Sequence, residues 1–201
     1  MTILIYVILG IIAFLFGGIP IGYIVVKAKT GQDIRTIGSK NIGATNVARA
    51  LGKKWFFIVL FIDAIKGAIP AFVSSLLFPD NFLLLIIIGF LTILGNLFCP
   101  YLHFKGGKGI GTSIGVLVII SPLPFLYSLG VFLIILLLFN YISLGSILGI
   151  LAFPIFIGFF DYNIYKFIFA VLLFLLITYK HRANIGRLLK GQESKFIKKN
   201  R

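Results

Sequence analysis

Acidic residues and cysteines are scarce in this sequence. Only five of its 201 residues are Asp or Glu, and its single cysteine excludes an internal disulfide and any cysteine-cluster metal site. Charged residues of both signs make up 12% of the chain whereas 60% is hydrophobic, which excludes an ordinary soluble domain. The net charge of +14 is split among short segments between apolar runs rather than gathered on one soluble face, so we expect no nucleic-acid partner.

Long apolar runs fill most of the chain instead. Several approach or reach the roughly 20 residues that a helix needs to cross a bilayer core. The first run has neither a basic n-region nor a small-residue cleavage site, so we interpret it as a retained helix. We predict an all-α integral membrane protein, one polytopic domain of residues 1–201, with spans at 3–26, 55–78, 82–100, about 110–121, 122–139, 142–160 and 163–180.

Residues 110–139 decide how many times the chain crosses the bilayer, because they fit either one long helix or two short helices broken at Ser121-Pro122. Two short passes keep the basic loop 27–54, the next basic loop and the basic tail on one face, as the positive-inside rule requires. We therefore predict seven transmembrane helices with short broken helices near 110–139, the N-terminus outside and the C-terminus in the cytoplasm. The tail carries Lys180, Arg182, Arg187, Lys190, Lys195, Lys198, Lys199 and Arg201, and the opposite face holds only Asp80, Asp161 and Lys166.

A glycine-rich stretch, residues 104–113, follows the third predicted span. Its glycines let consecutive backbone N–H groups converge on an anion, and a helix beginning near Ile110 would add its positive end. The stretch is not a Walker A motif, because Lys108 is followed by glycine, and the third glycine of the dinucleotide fingerprint is replaced by Thr112. Phosphate binding and a plain turn with lysines facing lipid headgroups both stay open. The candidate phosphate ligands are Lys105, Gly106, Gly107, Lys108, Gly109 and Thr112.

The loop 38–49 in the first basic segment is rich in hydroxyls, amides and small residues. Such side chains suit hydrogen bonding to a polyol or a phosphate, and Arg49 would serve as a bidentate phosphate clamp. A solvated polar loop would have a similar composition, so the residue types alone do not decide between a site and a linker. The candidates here are Ser39, Asn41, Gly43, Thr45, Asn46 and Arg49.

Three further polar groups lie in or beside the spans. Asp63 and Lys66 are three residues apart inside the second span, where an ion pair that braces the polar loops is a stronger interpretation than catalysis. Ser143 and Ser146 either bond to their own helix backbone or face the phosphate pocket. The last group is His181, Asn184 and Arg187, which recur every three residues and would share one side of a continuing helix; Glu193 follows them.

Taken together and in order, these segments resemble the bacterial acyl-phosphate:glycerol-3-phosphate acyltransferases of the PlsY family. Residues 38–49 look like the first motif of that family, residues 105–109 like the second, and residues 181–188 with Gln192-Glu193 like the third. The segments 63–67 and 143–145 are similar to further family segments. One departure is Asn96, where the family more often has a histidine.

The resemblance implies transfer of a fatty acyl group from acyl phosphate to the 1-hydroxyl of glycerol 3-phosphate, giving lysophosphatidic acid as the first step of phospholipid synthesis. It implies no cofactor or metal, a bacterial inner membrane location with the site facing the cytoplasm, and membrane lipids and the acyl-phosphate-producing enzyme as partners. The implied catalytic residues are Ser39, Arg49, Lys108, His181 and Asn184, supported structurally by Asp63, Lys66 and Glu193. The proton acceptor stays open between His181 and a substrate phosphate.

A small-anion or phosphate transporter is the alternative from another class, because basic loops and broken spans are compatible with it. A transport path needs polar groups along its depth, however, and only Asp63 and Lys66 qualify. A non-catalytic scaffold that binds anionic lipid would explain the lysines but not the polar loop 38–49.

Overall fold

The computed structural model describes residues 2–196, and Lys198, Lys199 and Arg201 of the predicted basic tail lie outside them. Within that range the chain is helical and contains no strand, which confirms the all-α class. Two short 3-10 turns cover Ile34–Thr36 and Pro100–Leu102. The helices are α1 (Thr2–Gly18), α2 (Ile21–Thr30), α3 (Ala44–Leu51), α4 (Lys53–Leu77), α5 (Phe82–Leu97), α6 (Ile110–Ile120), α7 (Pro122–Phe139), α8 (Ile142–Phe160), α9 (Ile164–Lys180) and α10 (Arg182–Leu189).

Five helical stretches of the described chain are long and apolar enough to cross a membrane, and the bent pair α9–α10 makes a sixth if it counts as one span. The five are Thr2–Thr30, Lys53–Leu77, Phe82–Leu102, Pro122–Phe139 and Ile142–Phe160. The remaining predicted span, about 110–121, is α6, whose 11 residues extend only about 16 Å against a bilayer core of about 30 Å. Seven crossings and the orientation of the termini therefore stay predictions.

Three breaks between consecutive helices bear on the predicted spans, and two of them lie at prolines, which lack a backbone N–H donor. The predicted first span is not one straight helix, because Pro20 separates α1 from α2, which continues to Thr30. Pro122 begins α7 directly after Ser121, so the predicted break within residues 110–139 is present. At His181 the axis bends by 61° between α9 and α10, and the predicted continuing helix is replaced by two helices.

The chain divides into two compact units, the first ending at Ile120 and the second beginning at Ser121. Glycines bring the helices of the first unit into backbone contact. A Cβ on Gly115 of α6 would lie 1.8 Å from the Ala64 carbonyl oxygen of α4, and one on Gly17 of α1 would lie 2.0 Å from the Thr92 carbonyl oxygen of α5. These helices pack backbone to backbone and hold the loops at their ends in fixed positions.

In the second unit α8 packs against both α7 and α9. Gly145 and Gly149 of α8 lie against Phe132 of α7. Near the α8–α9 connection Ser121 and Lys166 both donate to one carboxylate oxygen of Asp161. This cluster ties the start of α7 to the end of α8 and the start of α9.

Candidate active site

The candidate residues fall into two groups, one in each unit. In the first unit Asn46 organises the polar loop that precedes α3. Its side chain is fully buried, and its Nδ2 donates to the carbonyl oxygens of Ile34, Ile37 and Asn41 at 2.8–3.2 Å. Its Oδ1 accepts from the backbone N–H of Ser39 at 2.9 Å. The amide is thus used entirely to shape the loop, so Asn46 acts on this site as a positioning residue.

The loop that Asn46 folds brings Gly38, the neighbour of Ser39 in the chain, against the side chain of Arg49. Gly38 has a φ of 53°, and a Cβ there would lie 2.5 Å from Asn46 Oδ1 and 3.2 Å from Arg49 Cδ. The Arg49 side chain therefore runs past a residue that must be glycine for both steric and conformational reasons. Arg49 and Thr45 are four residues apart on the exposed face of α3. The side chain of Asn41 accepts from the Gly43 N–H at 2.9 Å and so fixes the turn directly before α3.

The glycine-rich loop is shaped by the end of α5. The N–H of Gly107 donates to the Asn96 carbonyl oxygen at 2.9 Å, and a Cβ on Gly106 would lie only 2.1 Å from that same oxygen. Gly109 has a φ of 81° and precedes α6 directly. Lys105 is exposed while Lys108 is half-buried within the loop.

Two contacts of this loop were not foreseen in the sequence. A Cβ on Gly107 would lie 3.0 Å from Asn96 Oδ1 and 3.6 Å from Ile42 Cγ1, so the glycine-rich loop lies against the loop 38–46. Asn96, which belongs to neither motif, and Ile42 of the first motif therefore shape the phosphate-binding candidate. The paired glycines were the available signal, since adjacent glycines often mark a close approach of backbone to a neighbour.

The hydroxyl of Thr112 is enclosed in the contact between α4 and α6. The residue is 0% exposed, its Oγ1 has no hydrogen-bond partner among the described residues, and its carbonyl lies against Gly67. The geometry places Thr112 in helix packing rather than on an accessible surface.

The predicted pair of Asp63 and Lys66 is formed and buried. Lys66 Nζ lies 2.8 Å from Asp63 Oδ1 in an ion pair that lacks the alignment of a hydrogen bond, and it donates to the Ile19 carbonyl oxygen at 2.8 Å. Ile19 lies at the break between α1 and α2, and Asp63 packs on Gly111 in the first turn of α6. The pair thus connects the end of α1 to the helix that follows the glycine-rich loop.

In the second unit Glu193 is the centre of the polar cluster. Its Oε1 accepts from Ser143 Oγ at 3.0 Å and from Asn184 Nδ2 at 2.7 Å, and its Oε2 accepts from Arg187 Nε at 2.6 Å. All but Arg187 are buried. Glu193 therefore fixes two predicted site residues, Ser143 and Asn184, to the segment after α10. The hydroxyl of Ser146, one turn along α8, is buried without a hydrogen-bond partner among the described residues.

His181 is held by its own helix. The ring Nδ1 lies 2.8 Å from the Ile177 carbonyl oxygen, and the residue is 2% exposed. Because a carbonyl only accepts, this contact assigns the proton of a neutral ring to Nδ1 and leaves the Nε2 lone pair as the acceptor. The tautomer suits a group that receives a hydrogen bond or a proton at Nε2.

Glu193 makes stability depend on pH. Burial by itself raises the pKa of this carboxyl, but the hydrogen bonds from Arg187, Asn184 and Ser143 outweigh it and leave the pKa below its ordinary value of 4.5. A folded-state pKa below the unfolded one stabilises the fold above about pH 4.5, and this contribution is lost as the pH falls through the folded value.

We therefore expect Glu193→Gln to lower the stability of the detergent-solubilised protein by about 1.5–3 kcal/mol at pH 7. The difference from the unchanged protein should shrink when both are unfolded at pH 3.5. The exposed, nearby Lys190→Gln serves as a control that should show no such pH dependence. An equal difference at both pH values would mean that the charge of Glu193 does not stabilise the fold.

Comparison with known proteins decides the family. The family model described as glycerol-3-phosphate acyltransferase matches residues 7–191. A glycerol-3-phosphate acyltransferase of Aquifex aeolicus is 41% identical over 94% of this chain and 97% of its own. One of Desulfotalea psychrophila is also 41% identical, over the same shares of the two chains. The chain belongs to the glycerol-3-phosphate acyltransferase family.

Solved structures of this acyltransferase family agree. The chain is similar to the crystal structure of PlsY, an integral membrane glycerol 3-phosphate acyltransferase, in its glycerol 3-phosphate form, with a TM-score of 0.90 and 40% identity over 96% of both chains. The lysophosphatidic acid form gives a TM-score of 0.86 and 38% identity over 96% of this chain and 95% of that one. The resemblance is confirmed, and the bacterial relatives with the candidate spans indicate a multi-pass bacterial membrane acyltransferase.

The acyltransferase family match contains both polar loops and every candidate residue except Glu193, which lies two residues beyond its end. Glu193 nevertheless holds Ser143 and Asn184, which lie within the match. Membership in this family does not favour the transporter alternative.

Proposed function

We propose that this chain transfers a fatty acyl group from acyl phosphate to the 1-hydroxyl of glycerol 3-phosphate, giving lysophosphatidic acid and phosphate as the first step of phospholipid synthesis. Family membership supports the acceptor and the product, since the two similar PlsY structures are glycerol 3-phosphate and lysophosphatidic acid forms. The observation that carries the choice of a phosphate-bearing donor is the glycine-rich loop. Gly106 and Gly107 are fixed on Asn96, and Gly109 leads into α6 beside the half-buried Lys108.

The proposed acyl transfer depends more on positioning the two substrates than on acid–base catalysis. An acyl phosphate is a mixed anhydride with a good leaving group. The acceptor oxygen bonds to the acyl carbon while the bond from that carbon to the phosphate oxygen breaks. Holding both substrates in reacting geometry is worth at most about 7–11 kcal/mol. Amide and ammonium donors aimed at the leaving phosphate stabilise its charge in the transition state.

We assign the residues as follows. The backbone of Gly106–Gly109 with Lys105 and Lys108 holds phosphate, and Arg49 with Ser39 and Thr45 binds the second phosphate and its glycerol. His181 and Asn184 complete the acceptor site, supported by Ser143, Ser146 and Glu193. The acceptor proton goes either to His181 Nε2, the acceptor nitrogen of the neutral ring in this tautomer, or to a phosphate oxygen of a substrate.

In this proposal the two units act as one functional domain, residues 1–201. The seven predicted crossings leave the N-terminus outside and the C-terminus in the cytoplasm of the bacterial inner membrane. Both polar loops and the tail then face the cytoplasm, where glycerol 3-phosphate is dissolved. The enzyme that produces acyl phosphate is a partner by virtue of supplying the donor.

A donor test checks this proposal. Purified protein in detergent is given glycerol 3-phosphate with palmitoyl phosphate or with palmitoyl-CoA, and lysophosphatidic acid is counted. We expect product from palmitoyl phosphate only, and at least about a tenfold lower rate for Lys108→Ala, because a charge-assisted contact to phosphate is lost. The exposed Lys190→Ala is the matched control and should be unchanged. Product from the thioester alone would contradict the proposed donor, and product from neither would contradict the proposed function.

A further inference from the structure

Four exposed lysines form a surface patch where α2 ends and α4 begins. Lys27 and Lys29 lie in the last turn of α2, and Lys53 and Lys54 are the first two residues of α4. Lys29 Nζ lies 5.5 Å from the centre of the Trp55 ring, which shows that the two helix ends are neighbours. We call these four residues the α2–α4 lysine patch. None of them belongs to the proposed active site.

The patch lies where the exposed surface changes from polar to apolar. On α4 the exposed apolar face begins immediately after the lysines, with Phe57 at 61% and Phe61 at 66% exposure. On α2, Ile24 is 48% exposed, one turn before Lys27. Because α2 and α4 both belong to candidate spans, we expect these faces to contact lipid acyl chains. The lysines and Trp55 would then lie at the depth of the headgroups, where amphipathic aromatic rings are favoured.

The carboxylates nearest to the patch in the sequence leave most of its charge unbalanced, although Asp33 interacts electrostatically with Lys27. Between residues 27 and 63 the sequence has only two acidic residues, Asp33 and Asp63. Asp33 pairs with Arg35 at 2.6 Å, and the buried Asp63 pairs with Lys66. Helix stability does not explain the lysines of α4 either, since cations in the first turn of a helix are disfavoured by its dipole.

We propose that the α2–α4 lysine patch binds the phosphate groups of anionic phospholipids in the adjoining leaflet. The apolar faces of α2 and α4 pack against the acyl chains of the same molecules, and Trp55 lies between the two regions. Basic residues beside an anionic membrane surface attract it at short range, and salt weakens that attraction. The inference does not depend on the acyltransferase reaction, because it concerns a surface outside the proposed site.

The test counts lipids retained by the full chain. Protein in mixed micelles of equal phosphatidylglycerol and phosphatidylcholine is delipidated stepwise, and the lipids that remain are counted by native mass spectrometry. We expect a preference for phosphatidylglycerol that falls about ten- to thirtyfold in the double variant Lys53→Gln/Lys54→Gln, by roughly a factor of five for each lysine. Lys53→Arg/Lys54→Arg, which keeps both charges, should retain the preference.

The matched control is Lys190→Gln/Lys195→Gln, which removes the same charge from two exposed lysines elsewhere. It should keep the phosphatidylglycerol preference of the unchanged chain. An equal loss in both double variants would overturn the proposal, because net charge and not the patch would then govern binding. The proposal would also be overturned if the unchanged chain showed no preference for phosphatidylglycerol. The same holds if the patch selectively bound an acidic soluble protein instead of phosphatidylglycerol.

Discussion

Replacing Gly106 with alanine is expected to reduce acyl transfer at least about a hundredfold, because it displaces the backbone that we propose holds phosphate. A Cβ at this position would lie 2.1 Å from the carbonyl oxygen of Asn96 and 2.7 Å from the carbonyl carbon of Leu97. Both are backbone atoms at the end of α5, so no side-chain rotation relieves the clash. The glycine-rich loop must therefore move away from α5 and break the Gly107 N–H bond to Asn96.

The stability of the Gly106→Ala variant should fall by only about 1–3 kcal/mol, since the overpacking is confined to one loop. The measurement is the rate of lysophosphatidic acid formation beside a thermal unfolding curve of the same sample. Gly130→Ala is the control, because a Cβ on Gly130 meets nothing within 4 Å. Near-normal turnover by a folded Gly106→Ala protein would show that the loop conformation does not matter for the reaction.

The sequence predicts the glycine-rich loop itself better than it predicts the contacts that fix the loop in position. Consecutive glycines beside lysines indicate an anion site from local conformation alone, and the helix that follows begins at Ile110 as expected. The clamp on the loop is Asn96, which belongs to the preceding apolar span and carries no local signal. The breaks at Pro20 and Pro122 show the same division between local and tertiary causes. The proline itself interrupts the helix, whereas the direction of the helix that follows depends on packing.

The sequence alone does not tell which polar residues of a loop would contact substrate and which ones hold the loop together. Three residues have side chains suited to hydrogen bonding with a substrate, namely Asn41, Thr45 and Asn46. The side-chain amide of Asn46, however, is hydrogen-bonded to backbone groups, and of the three only Thr45 is exposed. Composition cannot distinguish a buried organiser from an exposed ligand within one polar loop. Glu193 is a second case, because its partner Ser143 lies 50 residues earlier in the chain. Contacts over such distances follow from tertiary packing and not from periodicity.

The buried pair of Asp63 and Lys66 should give the largest stability effect. Asp63→Asn leaves Lys66, which is 4% exposed, without its counter-charge, and breaking a buried pair in this way costs about 3–5 kcal/mol. The double variant Asp63→Asn/Lys66→Met removes both charges at nearly constant volume. It should therefore be more stable than Asp63→Asn alone, as measured by unfolding in detergent.

A surface pair supplies the control for this comparison. Asp33 and Arg35 form an ion pair at 2.6 Å with side chains 27% and 34% exposed, so Asp33→Asn/Arg35→Gln should cost less than about 1 kcal/mol. Equal costs for the two pairs would mean that burial adds nothing to the Asp63–Lys66 interaction.

Activity of the double variant then separates folding from positioning. Lys66 also donates to Ile19 at the α1–α2 break, while Asp63 packs on Gly111 at the start of α6. Gly22, three residues after Ile19, lies against the carbonyl oxygen of Ile42 in the polar loop. The pair thus connects both polar loops, and its loss should raise the KM for glycerol 3-phosphate even in a stable protein. Wild-type kinetics in that variant would leave the pair a role in stability alone.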